Sequence, residues 1–126
     1  MKTGKAALLC VAMTLSGQVP ALEPKGFEVT STAHLLDLCS VSADDPLYSA
    51  AMGFCLGYID AALDYHAALT AGEEYDPITC PATQVTREEV VVVVREWAKG
   101  NSQHLHSEAP VVGIMRAASA KWPCSQ

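Results

Sequence analysis

Apolar positions recur at helical spacing along most of this chain. Between Leu47 and Tyr65 they fall at Leu47, Ala51, Phe54, Cys55, Tyr58, Ala62 and Tyr65, which is one face of a helix. Asp45-Pro46 supplies a start, because a proline in the first turn lacks only an N–H that would go unpaired anyway, and Gly72 supplies a stop after Ala71. Asp60 and Asp64, four apart, share the more polar side, and Gly53 and Gly57 form a small-xxx-small pair on which a second helix can lie closely.

Three further segments carry the same period. Ser31 or Thr32 caps a short helix with Ala33, Leu35, Leu36, Leu38 and Cys39 as its apolar members. Thr86-Arg87-Glu88-Glu89 is a capping box, followed by five consecutive valines, Val90 to Val94. Valine favours strands, but the cap before the run and Arg95 to Gly100 behind it favour a helix of about thirteen residues. That helix reads as apolar nearly all round and therefore deeply buried. A last helix, capped at Ser107 with Pro110 in its first turn, takes Val111, Val112, Ile114, Met115, Ala118 and Trp122 as its apolar side and stops at Pro123. Leu22 to Thr30, with Pro24 and Gly26, reads as an exposed lead-in. Gly72 to Pro81, with two further prolines, and Asn101 to His106 read as connections. The sum is an all-α chain, a compact bundle of about four helices.

The N-terminus changes the compartment. Met1 to Lys5 is short and basic, Ala6 to Leu15 is apolar, and Val19 and Ala21 are small residues at the positions a signal peptidase reads. Residues 1–21 therefore read as a secretory leader cut after Ala21, leaving residues 22–126 as one domain. The apolar run is shorter than the roughly 20 residues a span needs. Cys10 follows Leu9 where a lipoprotein signal requires a smaller residue. Beyond the leader stand four cysteines, Cys39, Cys55, Cys80 and Cys124, an even number in a small exported chain. Two disulfides follow, and spacing leaves all three connectivities open.

Charge and motifs narrow the function. The chain carries a net charge of −6, which becomes −8 once Lys2 and Lys5 leave with the leader. An acid excess without a basic patch argues against nucleic acid and anionic membrane surfaces. No two cysteines lie two to four apart and no histidine pair has the spacing of helical metal ligands, so no metal or cofactor is expected. The chain contains no nucleophile elbow, P-loop or H-E-x-x-H. Asp60 and Asp64 read as solvated helix surface rather than an acid/base pair, and the chain is not expected to be an enzyme. His104 and His106 flank Leu105; acid sensing is open to such a pair, but an exposed linker is the simpler account. The most partner-like exposed segment is the loop with Glu73, Glu74, Tyr75 and Asp76, three carboxylates around an aromatic.

Taken in order, these motifs resemble the Rap/Tai family of immunity proteins, small exported helical proteins associated with bacterial type VI secretion. The likeness starts at Leu35-Leu36-Asp37-Leu38-Cys39 and is most specific at Cys55-Leu56-Gly57-Tyr58-Ile59-Asp60-Ala61. It then runs through Cys80-Pro81, the Thr86-led valine helix and His104-Leu105-His106 to Trp122-Pro123-Cys124. Ala61 departs from a glycine common there. The resemblance implies packing roles for Gly57, Tyr58, Ile59, Asp60, Trp122 and Pro123. It also implies a periplasmic, non-enzymatic protein that binds and blocks a peptidoglycan-cleaving amidase, with homodimers among relatives. Glu73 to Asp76 is the segment expected to enter that partner. The alternative on the same scaffold is an acid-stress periplasmic chaperone or a general protein-binding module.

Overall fold

A computed structural model describes residues 27–125, and the elements over them are helices joined by loops: α1 (Thr32–Cys39), α2 (Tyr48–Leu69), α3 (Arg87–Lys99), α4 (Ser102–Leu105) and α5 (Pro110–Lys121). The expected leader, its cleavage point and Cys10 lie outside the described residues. Among the described residues there is no strand, and no helix is long and apolar enough to cross a membrane.

Local chemistry explains where these helices begin and end. Ser31 caps α1 by accepting from the His34 N–H at 3.3 Å. Both halves of the capping box form on α3: Thr86 Oγ1 accepts from the Glu89 N–H at 3.2 Å, and Glu89 Oε2 accepts from the Thr86 N–H at 2.7 Å. That cap decides helix over strand for the valine run. The run is not buried all round, however. Val90, Val91 and Val94 are buried while Val92 is 56% exposed, because residues about 100° apart on one helix cannot all face the core of so small a bundle.

α2 begins later than Pro46. Asp45 folds a turn first, its carboxylate accepting from the Leu47 N–H at 2.8 Å and its carbonyl from the Tyr48 N–H at 3.0 Å. The helix closes on Thr70 rather than Gly72, with the Thr70 N–H and Oγ1 both donating to the His66 carbonyl, at 3.0 and 2.9 Å. α5 is also shifted. Its N-cap is Ala109, not Ser107, whose hydroxyl donates instead to the Gln103 carbonyl at 3.3 Å. α4 is one turn of helix inside a stretch expected to be an irregular connection.

The helices meet around Leu35, Ile59, Val90, Val94 and Ile114, with α3 against α5 and α1 against α2 as the most extensive interfaces. α2 buries Ala51, Cys55, Ile59 and Ala62, a stripe rotated from the expected one: Phe54 and Tyr58 are half-buried beside it and Tyr65 is 65% exposed. The lead-in is less exposed than expected. Phe27 packs on Phe54 with the rings tilted by 55° and their centroids 5.6 Å apart, and Val29 packs against the core.

Gly53 and Gly57 do not make a close helix seam. Both are exposed, and a Cβ on either would meet nothing within 4 Å. The close approach is at Gly113 on α5, which lies under Thr32. Of the three connectivities the bundle selects Cys39–Cys55, joining the end of α1 to α2 in the core, and Cys80–Cys124, tying the long α2–α3 connection to the chain end after α5.

Candidate functional site

The cysteines and Asp60, which the sequence offers as candidate reactive groups, are engaged in structural bonds. All four described cysteines are in disulfides, so none offers a thiolate. Asp60 Oδ2 accepts from Arg87 Nη1 at 2.6 Å, an exposed α2–α3 ion pair. Among the described residues no group of three or more His, Cys, Asp or Glu is arranged to hold a metal.

The acidic loop is exposed through Gly72 to Ile78, with Tyr75 at 53% and Ile78 at 54%, and it is held at both ends. His66, three residues before the end of α2, does much of the holding. Its carbonyl receives Thr70, and its Nε2 accepts from the Ile78 N–H at 3.0 Å, so the ring bonds there as the neutral Nδ1–H tautomer. Beyond Ile78 the chain is stitched to the end of α5. Buried Thr79 donates from Oγ1 to the carbonyls of Ala118 and Trp122, each at 3.1 Å, and the Cys80 N–H donates to the Trp122 carbonyl at 2.9 Å. The Cys80–Cys124 bond lies over the same join. Glu73, Glu74, Tyr75 and Asp76 thus sit on a short span between fixed points.

Beside this loop α5 leaves apolar surface uncovered. Ile78 joins Val111, Val112 and Met115, with Arg116 and Ser119, around a hollow of about 350 Å3. A neighbouring hollow shares Ile78 and Ser119 and includes Asp76 and Pro123. Arg116 is not a free cation: its Nε and Nη2 donate to the two carboxylate oxygens of Glu108 at 2.8 and 2.9 Å. Those bonds hold the Glu108 carboxyl below the usual carboxylate value against the opposing effect of burial, and His104 adds to the lowering from 2.9 Å. His104 is therefore no idle member of a linker. It is half-buried between Glu108 and the Trp97 ring, whereas His106 is exposed.

A separate groove of about 600 Å3 runs between α3 and α5, walled by Val85, Val92, Val93, Trp97 and Trp122. Glu89, Glu96 and Lys121 stand along it, so its charge is mixed.

The residues singled out as a motif separate in the fold. Ile59 is core and Tyr58 packs against the core; Gly57 and Pro123 are exposed; Asp60 belongs to the ion pair; Trp122 contributes its carbonyl to the loop join and its ring to the α3–α5 groove. Sequence reasoning missed His66, Thr79, Glu108 and Arg116. Glu108 and Arg116, eight apart on either side of a helix start, carry no local signal of partnership, and His66 is twelve residues from Ile78.

A family model described as Rap1a immunity proteins matches residues 31–124, from the α1 cap to the last cysteine. No curated protein matches the chain, and no solved structure does.

Proposed function

We propose that this chain, which belongs to the family of Rap1a immunity proteins, works in the periplasm by binding a peptidoglycan-cleaving amidase and blocking its active site. Membership of the family gives the coarse function, an immunity protein with an effector protein as its partner. The amidase, the periplasmic site and the leader at residues 1–21 are the finer reading. The observation that carries it is the family match over the whole helical domain, together with a disulfide-tied fold suited to an oxidising compartment.

The acidic loop is the element we assign to the partner. A loop fixed at His66 and at the α5 join loses little conformational freedom on binding, so Glu73, Glu74, Tyr75 and Asp76 are presented at low entropic cost. Blocking differs from catalysis in what it demands: the inhibitor needs complementary shape and charge, not a reactive group.

The test starts from protein exported by its own leader. N-terminal sequencing reads Leu22 first if cleavage follows Ala21. The purified protein is then titrated against the peptidoglycan amidases encoded in the same genome, with cell-wall turbidity as the activity readout. Stoichiometric loss of one amidase's activity supports the reading; full activity of all of them in the presence of excess protein removes it. Changing Glu73, Glu74 and Tyr75 to alanine should weaken the binding, and unchanged affinity would take the loop out of the account.

A further inference from the structure

We propose that the acidic loop and the exposed side of α5 form one docking surface, and that it receives a basic protein surface which places an apolar side chain between Ile78 and Val112. The proposal deepens the effector-binding reading and rests on it for the partner's role, while the surface itself follows from three observations.

The first is convergence. Ile78 from the loop (54% exposed) and Val111 and Val112 from α5 (37% and 39%) come from positions more than thirty residues apart, yet they wall one hollow with Met115, itself buried to 9%, on the same lining. A single exposed valine is ordinary, whereas branched aliphatic residues from two elements gathered around one concavity mark a contact surface. At about 350 Å3 the hollow has room for a large side chain.

The second is rigidity. The Ile78 N–H is bonded to His66 Nε2, and the next two residues are fixed to the end of α5 through Thr79 and the Cys80 N–H. The wall of the hollow is therefore in place before any partner arrives, which reduces the ordering cost of association.

The third is charge, and it selects the partner. Asp76 lines the adjoining hollow that shares Ile78 and Ser119 with the first, and Glu73 and Glu74 precede it on the same loop. Among the described residues none of these three carboxylates is in an ion pair, and the one cation on the apolar hollow, Arg116, is neutralised by both oxygens of Glu108. Uncompensated negative charge beside an apolar centre, at Asp76 and on the loop that leads to it, fits a basic surface, speeds its approach and disfavours acidic competitors. The α3–α5 groove lacks this property, because Glu89, Glu96 and Lys121 give it both signs.

The experiment titrates the purified protein by calorimetry with the amidases of the same genome, at low and high salt, using three variants whose melting temperatures are checked beside the parent. Val112→Asp should weaken binding at least about tenfold, as loss of a central apolar contact does. Glu73→Gln/Glu74→Gln/Asp76→Asn should weaken it chiefly at low salt and flatten its salt dependence. Val92→Asp, in the other groove, should leave it unchanged. Amidase binding that is indifferent to the first two variants, or lost in Val92→Asp alone, overturns the docking surface and leaves the immunity reading standing. If no amidase binds, the amidase reading falls and a second probe decides the surface: an acetylated Lys-Leu-Lys-Trp-Lys amide followed by amide chemical shifts. Shifts confined to residues 73–78 and 111–116, absent with the Glu-Leu-Glu-Trp-Glu analogue, support the surface; shifts elsewhere, or none, overturn it.

Discussion

The side chain of Thr32 occupies the place where a Cβ on Gly113 would stand: that atom would lie 2.9 Å from Thr32 Cβ and closer still to Oγ1 and Cγ2. Thr32 is buried and pinned there, its N–H donating to the Glu108 carbonyl at 3.0 Å and its Oγ1 donating to the carbonyls of Glu108 and Ala109 at 3.4 and 3.3 Å. Gly113→Ala gains up to about 1 kcal/mol of helix propensity. It nevertheless drives a methyl into a side chain that cannot swing away, and overpacking of this kind costs about 1 to 3 kcal/mol. Urea denaturation should show net destabilisation, smaller when Gly113→Ala is made in a Thr32→Ala background; an equal cost in both backgrounds refutes the clash.

The capping box of α3 gives a second prediction. Thr86→Ala removes the acceptor of the Glu89 N–H and half of a reciprocal pair, which should lower stability by about 1 kcal/mol. Thr86→Ser keeps the oxygen and should restore most of it.

The two disulfides should separate by function. Cys39–Cys55 and Cys80–Cys124 span 16 and 44 residues, and on chain entropy alone contribute about 3 and about 4 kcal/mol. Replacing Cys39 and Cys55, which are 1% and 0% exposed, also leaves space in the core, so thermal stability falls by more than entropy predicts. Replacing Cys80 and Cys124 frees the loop join and should lower partner affinity as well as stability. Equal affinity of the parent and the Cys80→Ser/Cys124→Ser variant at a temperature where both are folded would contradict the role given to that join.

His66 should matter to the loop more than to the fold. His66→Ala leaves the Ile78 N–H without its acceptor but touches little of the core, so cleavage by a glutamate-specific protease after Glu73 and Glu74 should accelerate while the urea midpoint changes little. Cleavage at the parental rate would mean that the bond does not restrain the loop.

Acid sensitivity follows from Glu108. Its folded-state pKa is lowered by Arg116, so its contribution is complete above the carboxylate's unfolded value, about 4.3, and is lost as pH falls through the lower folded value. Stability should therefore decline on acidification below about pH 5, and Glu108→Gln should flatten that decline. Protection of an aggregating client at about pH 3 but not at pH 7 would favour an acid-stress chaperone, because that is where the carboxylates become protonated.

Much of the architecture was legible before folding because its causes are local. A cap is set by residues within one turn, so Ser31 and the Thr86–Glu89 pair announce α1 and α3 directly. The period of apolar positions likewise shows that the chain is helical. Boundaries slipped where a competing local bond won, as at Asp45 and at Thr70.

The candidate surface was legible only in part. The carboxylates of Glu73, Glu74 and Asp76 announce an acidic loop, yet nothing near them indicates that Ile78 stands beside Val112 or that Arg116 is already satisfied by Glu108.

What the sequence by itself determined is therefore the helical class, the principal caps, the acidic character of the loop and the presence of cysteines for two bridges. The tertiary structure alone decided which cysteines pair, that Gly113 and not Gly57 lies beneath another helix, and which apolar residues remain uncovered around the loop. The reason is physical: caps and periods are fixed by neighbours in the chain, whereas pairing, close approach and exposure depend on which helix faces meet, and that is settled by packing all five helices at once.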